Sequence, residues 1–298
     1  MNESQKKPYN KPPLSIDGQI TLLKERGLIV LDEDQLKYYL RNISYYHLSI
    51  YFKFYQSDNK FLDGTTFEDV LRVYTFDNKL RFLLLELLER IEKSFKCRIA
   101  YELSLPNSAS HCHLNEDIFK SRDLYDEMQQ IFIDEFAKSK EVSIDHYKQT
   151  YSDPVIPPVW MMVEILSFGL CVKFTKALKR QYKNSVARTF GADEQFVLNW
   201  LHCLSALRNN CAHHSRLWNR DLTFIINTSH NKYGRHFVSD GKRLFNYLVA
   251  MQIILSNVNP NSSWLDKLTK LIEEHSIDVS HMGFPPDWHS RLSGITNP

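Results

Sequence analysis

The spacing of apolar positions predicts that most of this chain is helical. The clearest stretch begins near Thr65–Asp69 and runs to about Ser104, with apolar residues three and four positions apart and charged residues between them. Its apolar positions are Leu80, Leu84, Leu87, Ile91, Phe95 and Ile99. This period places one apolar stripe on one face of a helix. We therefore expect a long amphipathic helix here.

Two later stretches leave alternatives open. The block Val159–Gly169 is strongly apolar, and Glu164 is its only charged residue. A carboxylate on an apolar face needs a donor such as Arg208 or a histidine, unless it reaches solvent at the surface. The short β-branched run Leu222–Ile226 predicts either a strand or an extended connector.

A break in the helical period gives the best candidate for a boundary. The period is lost between Lys138 and Pro158, where Asp153-Pro154 and Pro157-Pro158 indicate a loop. We therefore expect a mainly all-α fold with little or no β structure. An N-terminal helical region over 1–150 would contain the long helix, and a C-terminal helical region would cover 151–298, either as two regions or as one integrated domain.

Composition favours a globular protein of the cytoplasm. The chain has 298 residues, of which 43% are hydrophobic, so it can bury a large core. Its formal net charge is only +2, so binding of RNA would need a local basic patch. The polar start Met1–Lys11 carries no apolar segment typical of export, and no stretch approaches about 18 uninterrupted apolar residues. The five scattered cysteines indicate reduced structural thiols.

The chemistry of the chain concentrates in Leu198–Arg220, which reads LNWLHCLSALRNNCAHHSRLWNR. Wound as one helix at about 100° per residue, this stretch separates into two sides. The apolar seam contains Trp200, Leu204, Leu207, Cys211 and Trp218. The polar and basic side contains His202, Asn209, His213, Arg216 and Arg220.

Arg208 and His213 do not stack on such a helix. They differ by about 140° in azimuth and about 7.5 Å along the axis, and Arg208 would reach the polar side by its long stem. Asn209 lies one turn before His213, so we expect its amide to orient the imidazole. The same region offers His214 as a second histidine, although His214 would point towards the apolar seam.

These side chains suit cleavage of a phosphodiester. Guanidinium groups bind phosphate oxygens bidentately, and an imidazole that titrates near neutrality can move a proton to or from a sugar hydroxyl. This chemistry requires no metal, and His111-Cys112-His113 lacks a partner pair at the spacing of a zinc site. We expect no metal and no cofactor. The alternative is a surface helix whose histidines and arginines are simply solvated.

The string RNNCAHHSRLWNR resembles the Abi-like (AbiD/AbiF) abortive-infection family within the HEPN nuclease superfamily. The N-terminal strings KPPLSIDGQITLLKERGL and ISYYHLSIYFKFY are similar to the same family. The resemblance implies a HEPN-type helical bundle with an N-terminal helical extension. It also singles out residues of the long helix, of which one or two are expected to brace the active helix: Asp77, Leu80, Arg81, Ile91, Glu92 and Arg98.

The resemblance further implies a metal-independent endoribonuclease that acts as a toxin in defence against phage. The implied catalytic residues are Arg208, Asn209 and His213, with His214 as an alternative histidine or an interface residue. We expect RNA-binding roles for Arg216 and Arg220, unless they pair with acidic residues of a neighbouring helix such as Glu89 or Glu92. We expect the same role for Lys173 and Lys176, unless they form a solvated face. The implied partners are substrate RNA, a bound non-coding RNA and a second copy of the chain, with no membrane. The competing function is a non-catalytic helical module that binds RNA or acts as a scaffold in phage defence.

Overall fold

The computed structural model describes residue 10 and residues 12–295. The polar start of the chain, Met1–Lys11, therefore lies almost wholly outside the described residues. Helices supply nearly all the regular structure of the described part, which confirms the mainly all-α prediction. They are α1 (Ile16–Glu25), α2 (Glu33–Ile43), α3 (Tyr45–Phe52), α4 (Phe67–Asn107), α5 (Arg122–Lys138), α6 (Val142–Thr150), α7 (Val159–Ile165), α8 (Phe168–Ala177), α9 (Arg180–Arg188), α10 (Glu194–Ala212), α11 (Leu244–Val258), α12 (Trp264–His275) and α13 (Trp288–Ser293).

The chain divides into two compact units, Met1–Asp77 and Asn78–Pro298. The predicted division between residues 150 and 151 falls inside the second unit. That residues 1–150 and 151–298 form two helical regions stays a prediction. The loop on which that division was based is shorter than predicted, because α6 occupies part of it. No helix among residues 12–295 is both long and apolar enough to cross a membrane.

The first unit contains α1 to α3, a short antiparallel pair of strands and the first turns of α4. The strands are β1 (Gln56–Ser57) and β2 (Lys60–Phe61). The Tyr51 hydroxyl donates a hydrogen bond to Asp77 Oδ2 at 2.7 Å, and both residues are fully buried. Because a buried carboxylate needs such a donor, this bond stabilises the packing of α3 against the start of α4.

The predicted stripe of α4 is confirmed. Leu80, Leu84, Leu87, Ile91, Phe95 and Ile99 are all at most 2% exposed. On the second unit's part of this helix, Arg98 donates to the carbonyl oxygen of Thr189, which follows α9, and to that of Asn257 in the last turn of α11. A cation at helix C-termini is favourable because the last carbonyls have no partner within the helix.

Helices α10 and α11 form the centre of the second unit. The α10 residues Trp200, Leu201, Leu204 and Leu207 have no exposed surface, and α11 is buried over nearly its whole length. The segment 213–243 that joins them contains no α-helix and no strand. The run Leu222–Ile226, predicted as either a strand or an extended connector, is therefore an extended connector.

Side chains of α10 and α11 hold this connector by its backbone. The indole Nε1 of Trp200 donates to the Asn227 carbonyl at 2.9 Å, and Asn199 Nδ2 donates to the Ile225 carbonyl at 3.1 Å. The Tyr247 hydroxyl donates to the Phe224 carbonyl at 2.5 Å. These bonds satisfy backbone carbonyls that a helix or sheet would otherwise pair.

The expectation that one helix covers Leu198–Arg220 is wrong, because α10 ends at Ala212. The N–H of His214 donates to the Cys211 carbonyl at 3.2 Å, and the N–H of Ser215 donates to the Asn210 carbonyl at 2.9 Å. This pair of bonds is the Schellman arrangement, which requires a left-handed residue just after the helix. His214 holds that position with φ 57°, where glycine is usual.

The left-handed conformation of His214 predicts that His214→Gly stabilises the protein. Glycine adopts positive φ without steric cost, so we expect a gain of about 0.5–1 kcal/mol in the free energy of unfolding. The matched control is His213→Gly, since His213 is also exposed but has φ −93°. Urea unfolding should show a higher midpoint for His214→Gly than for the parent protein. The midpoint of His213→Gly should not rise. A lower midpoint for His214→Gly would contradict this account of the helix end.

Candidate functional site

The guanidinium of Arg208 is fixed by a carboxylate of another helix. Arg208 Nε donates to Glu92 Oε2 at 3.0 Å, and Arg208 Nη2 donates to Glu92 Oε1 at 3.2 Å. The Glu92 side chain is 12% exposed and that of Arg208 is 32% exposed. A two-point bond between planar groups sets orientation as well as distance. The pair therefore aims Arg208 and joins α10 to α4, which confirms that Glu92 braces the helix that carries Arg208.

Glu92 is also the centre of a small buried network. Lys96 Nζ lies 3.5 Å from Glu92 Oε1 and donates to the carbonyl oxygen of Glu164 at 3.0 Å. Glu92 and Lys96 are both buried when the whole residue is considered. The carboxylate thus faces two cations, which compensates its removal from water.

The carboxylate of Glu164 plays no part in this network. Its side chain is exposed. Of the two alternatives for Glu164, a buried partner of Arg208 or a glutamate that reaches solvent, the second is therefore correct. Its backbone carbonyl is the group that contacts Lys96.

Asn209 orients Arg208 instead of His213. The Asn209 Oδ1 atom accepts a hydrogen bond from Arg208 Nη1 at 3.2 Å. The only bond that joins Asn209 to His213 among the described residues is between backbones, where the His213 N–H donates to the Asn209 carbonyl at 2.9 Å. The predicted contact of the amide with the imidazole is therefore wrong, and the amide holds the guanidinium from its other side.

Both histidines stand at the exposed end of α10. His213 is the C-terminal cap residue and His214 follows in the left-handed conformation, and both side chains are exposed. His213 is thus on the solvent side, as predicted. His214 does not point into the apolar seam, because the turn of the chain at this residue replaces the continuing helix on which that expectation was based.

Arg216 and Arg220 lie beyond the end of α10, so they do not extend the face of His213 by further helical turns. Both are half-buried, and Arg220 Nη1 donates to the Arg216 carbonyl at 3.3 Å. The two glutamates suggested as their partners, Glu89 and Glu92, contact other cations. Glu92 contacts Arg208 and Lys96, and Glu89 contacts Lys93 at 2.5 Å.

Lys173 and Lys176 lie on α8, where they face different neighbours. Lys173 Nζ is 2.7 Å from Glu127 Oε1 of α5. Lys176 lines a cleft together with His202 of α10 and Lys120, and neither Arg208 nor His213 lines that cleft. The predicted site residues therefore fall into two groups. The sequence did not predict Lys120 as a residue of this cleft, because Lys120 precedes α5 and belongs to no basic run.

Two residues of the histidine and cysteine motif at residues 111–113, Cys112 and His113, pack in the interior. His113 is fully buried with its ring 5.3 Å from that of Phe132, and burial lowers its pKa to about 3. Burial also raises the pKa of the Cys112 thiol to about 11. The imidazole of His113 is therefore neutral at physiological pH, and both side chains are part of the core.

The Arg208–Glu92 pair predicts that loss of the Glu92 charge destabilises the protein, whereas loss of the Glu89 charge on the same helix does not. Glu92→Gln keeps the shape but removes the charge that compensates Arg208 and Lys96, so we expect a loss of about 1–3 kcal/mol in the free energy of unfolding. Glu89 also faces a lysine one turn later but is exposed, so Glu89→Gln should leave that free energy unchanged. Urea unfolding of both variants tests this difference. Equal effects would show that the pair does not secure α10 to α4.

Comparison with known proteins adds one finding. A family model described as Abi-like protein matches residues 38–219, a range that contains Glu92, all of α10 and both histidines. No curated protein and no solved structure matches the chain. The family indicates a role in abortive infection, a form of defence against phage. Since the match covers more than half of its length, the chain belongs to the family of Abi-like proteins.

Proposed function

We propose that this protein is a metal-independent endoribonuclease of phage defence, of the HEPN type and the AbiD/AbiF kind. The observation that carries the proposal is the end of α10, where a guanidinium held by Glu92 and Asn209 accompanies two exposed imidazoles. A fixed cation beside a group that moves protons is what cleavage of a phosphodiester needs.

Arg208 is proposed to bind the scissile phosphate. A guanidinium carries five N–H groups, and three of them donate to Glu92 and Asn209. The other two remain for phosphate oxygens, and their direction is already set. Because the cation does not need to reorganise, it stabilises the negative charge that develops on those oxygens during the reaction. Glu92 and Asn209 are then positioning residues.

His213 is proposed to act as the general base. Its imidazole takes the proton of the substrate's 2′-hydroxyl, and the 2′-oxygen attacks the adjacent phosphorus. The bond from phosphorus to the 5′-oxygen breaks, and that oxygen takes a proton from an acid. The products are a 2′,3′-cyclic phosphate and a 5′-hydroxyl. His214, one residue away, is the alternative histidine for the same step.

The remaining proposed roles concern RNA and partners. We propose that Arg216 and Arg220 contact phosphates near the cut from the turn that follows α10, and that Lys173 and Lys176 bind RNA from α8. We also propose that a second copy of the chain supplies the acid, and that a non-coding RNA restrains the enzyme. The second candidate function is a non-catalytic module, because the bond of Arg208 to Glu92 also serves the fold.

The proposal predicts that His213→Ala abolishes cleavage without unfolding the protein. His213 is exposed, so its removal leaves no cavity, while loss of a general base costs about 10²–10⁴-fold in rate. The matched variant is His214→Gly, which removes the neighbouring imidazole and relaxes the backbone. Initial rates on a labelled single-stranded RNA, with melting temperatures, compare the three proteins. If His214→Gly is inactive and His213→Ala is active, the roles of the histidines are exchanged. If both variants cut like the parent, neither histidine is the general base; if the parent does not cut RNA, the enzyme proposal fails.

The proposed nucleophile predicts a second outcome. Since the attacking oxygen belongs to the substrate and an imidazole takes its proton, cleavage should persist in EDTA and leave a 2′,3′-cyclic phosphate. Replacement of the nucleotide on the 5′ side of the cut by its 2′-deoxy form should stop the reaction at that linkage. Mass spectrometry of the products and gel analysis of the two substrates provide the measurement. Cutting of the deoxy linkage would exclude this mechanism.

A further inference from the structure

A basic cleft opens beside the middle of α10, away from the two exposed histidines at the end of this helix. It has a volume of about 480 Å³ and lies between α5, α8 and α10. Its walls come from residues that are far apart in the sequence. They include Lys120, Glu127, Lys173, Lys176 and His202.

The backbone fixes Lys120 at this cleft. Its N–H donates to the Ala177 carbonyl at 3.0 Å, and the N–H of Lys179 donates to the Ile118 carbonyl at 2.8 Å. These two bonds tie the segment before α5 to the end of α8. The position of Lys120 beside Lys176 therefore follows from the fold and not from two flexible side chains that meet by chance.

The amino groups around the cleft repel one another. Burial lowers the pKa of Lys176, and the charge of Lys120 lowers it further. Burial also lowers the pKa of Lys183 on α9, and Lys120 again lowers it further. Like charges at close range destabilise the protein unless an anion lies between them. The cleft therefore favours a bound anion.

The acidic residues near the cleft are already engaged by other cations. Glu127 lies 2.7 Å from Lys173 at the rim, and Glu194 lies 3.3 Å from Arg180. Lys173 is thus compensated, whereas Lys120 and Lys176 form no salt bridge among the described residues. The anion would bind to these two amino groups.

An aromatic pair next to the lysines favours a nucleotide over a simple acid. The ring of His202 lies 4.3 Å from that of Phe224, and Phe224 is 37% exposed. Burial lowers the pKa of His202, and the charge of Lys176 lowers it further. A neutral imidazole can donate one hydrogen bond to a phosphate, and the open face of Phe224 can stack on a base. Basic grooves with exposed rings are typical of sites for single-stranded nucleic acid.

By helical geometry, His202 of the cleft and His213 at the end of α10 lie on nearly the same side of this helix. His202 and His213 are eleven positions apart, which places them within about 20° in azimuth and about 16 Å apart along the axis. One strand of RNA that follows this side of the helix could therefore contact both.

We infer that Lys120, Lys176 and His202 form a subsite for a backbone phosphate of single-stranded RNA, with Phe224 as a surface for the adjoining base. The inference rests on the proposed function for the identity of the strand. It assigns RNA contacts to Lys120, His202 and Phe224 in addition to Lys176. It also makes Lys173, which Glu127 compensates, the less important of the two lysines on α8.

Binding of labelled oligouridylate at several salt concentrations tests this subsite without any need for cleavage. We expect Lys120→Gln/Lys176→Gln to weaken binding roughly tenfold and to reduce the slope of log K against log salt by roughly 0.7, the value of one contact to a single strand. The control Lys138→Gln/Lys267→Gln removes two exposed lysines that lie beside glutamates elsewhere, and should bind like the parent. Lys120→Arg/Lys176→Arg keeps both charges and should retain the slope.

Two further measurements locate the effect. Phe224→Ala should weaken binding at every salt concentration but leave the slope unchanged, because stacking releases no counterions. A methylphosphonate oligouridine, which has the same bases and an uncharged backbone, should not distinguish the parent from Lys120→Gln/Lys176→Gln. If that neutral strand or an acidic peptide binds as tightly as oligouridylate, the cleft does not recognise RNA phosphate.

The outcomes separate this inference from the proposed function. If the protein cuts RNA but Lys120→Gln/Lys176→Gln binds with the affinity and slope of the parent, the subsite is wrong and the nuclease stands. If the protein cuts no RNA but that variant loses affinity and slope as expected, the subsite stands and the nuclease is wrong. If the parent does not bind oligouridylate at low salt, the subsite is also overturned.

Discussion

The two-point bond between Arg208 and Glu92 sets the geometry of the candidate site. The two residues are 116 positions apart in the sequence, and they lie on α10 and α4. A carboxylate that is nearly buried must face a cation, and the cation must present its planar fork to satisfy both oxygens. Rotation of α10 about its axis would break this bond. The pair therefore fixes which side of α10 meets the core and which side meets solvent.

Such a pair is a poor source of net stability, because removing two charges from water offsets much of their attraction. Its value for this protein is orientation. Glu92 holds two edges of the guanidinium, and Asn209 holds a third N–H. The cation that would meet the phosphate is thereby aimed before any substrate arrives, which is the condition under which charged groups contribute most to a reaction. The same residues thus serve both folding and the proposed chemistry.

The fold was largely predictable from the apolar period, and the end of α10 was not. The stripe from Leu80 to Ile99 repeats over many turns, so one helix was the only arrangement that buried it. After Ala212, residues 213–233 contain no glycine or proline to stop a helix, and Trp218 continues the apolar spacing. The helix stops because His214 adopts the left-handed conformation usually left to glycine. Sequence rules do not predict a left-handed histidine, because this conformation costs energy locally. The backbone hydrogen bonds that close the helix end compensate that cost.

The candidate site was predictable only where its residues are close in the sequence. Arg208, Asn209 and His213 share one short string, whereas Lys120 reaches Lys176 only through the backbone bonds between the segment before α5 and the end of α8. This arrangement also explains how a chain with a net charge of +2 could attract a polyanion. Its acidic residues are not spread evenly over its cations. Glu89, Glu92, Glu127 and Glu194 each face a particular lysine or arginine, so the positive field that remains is local and belongs to the cations without such a partner.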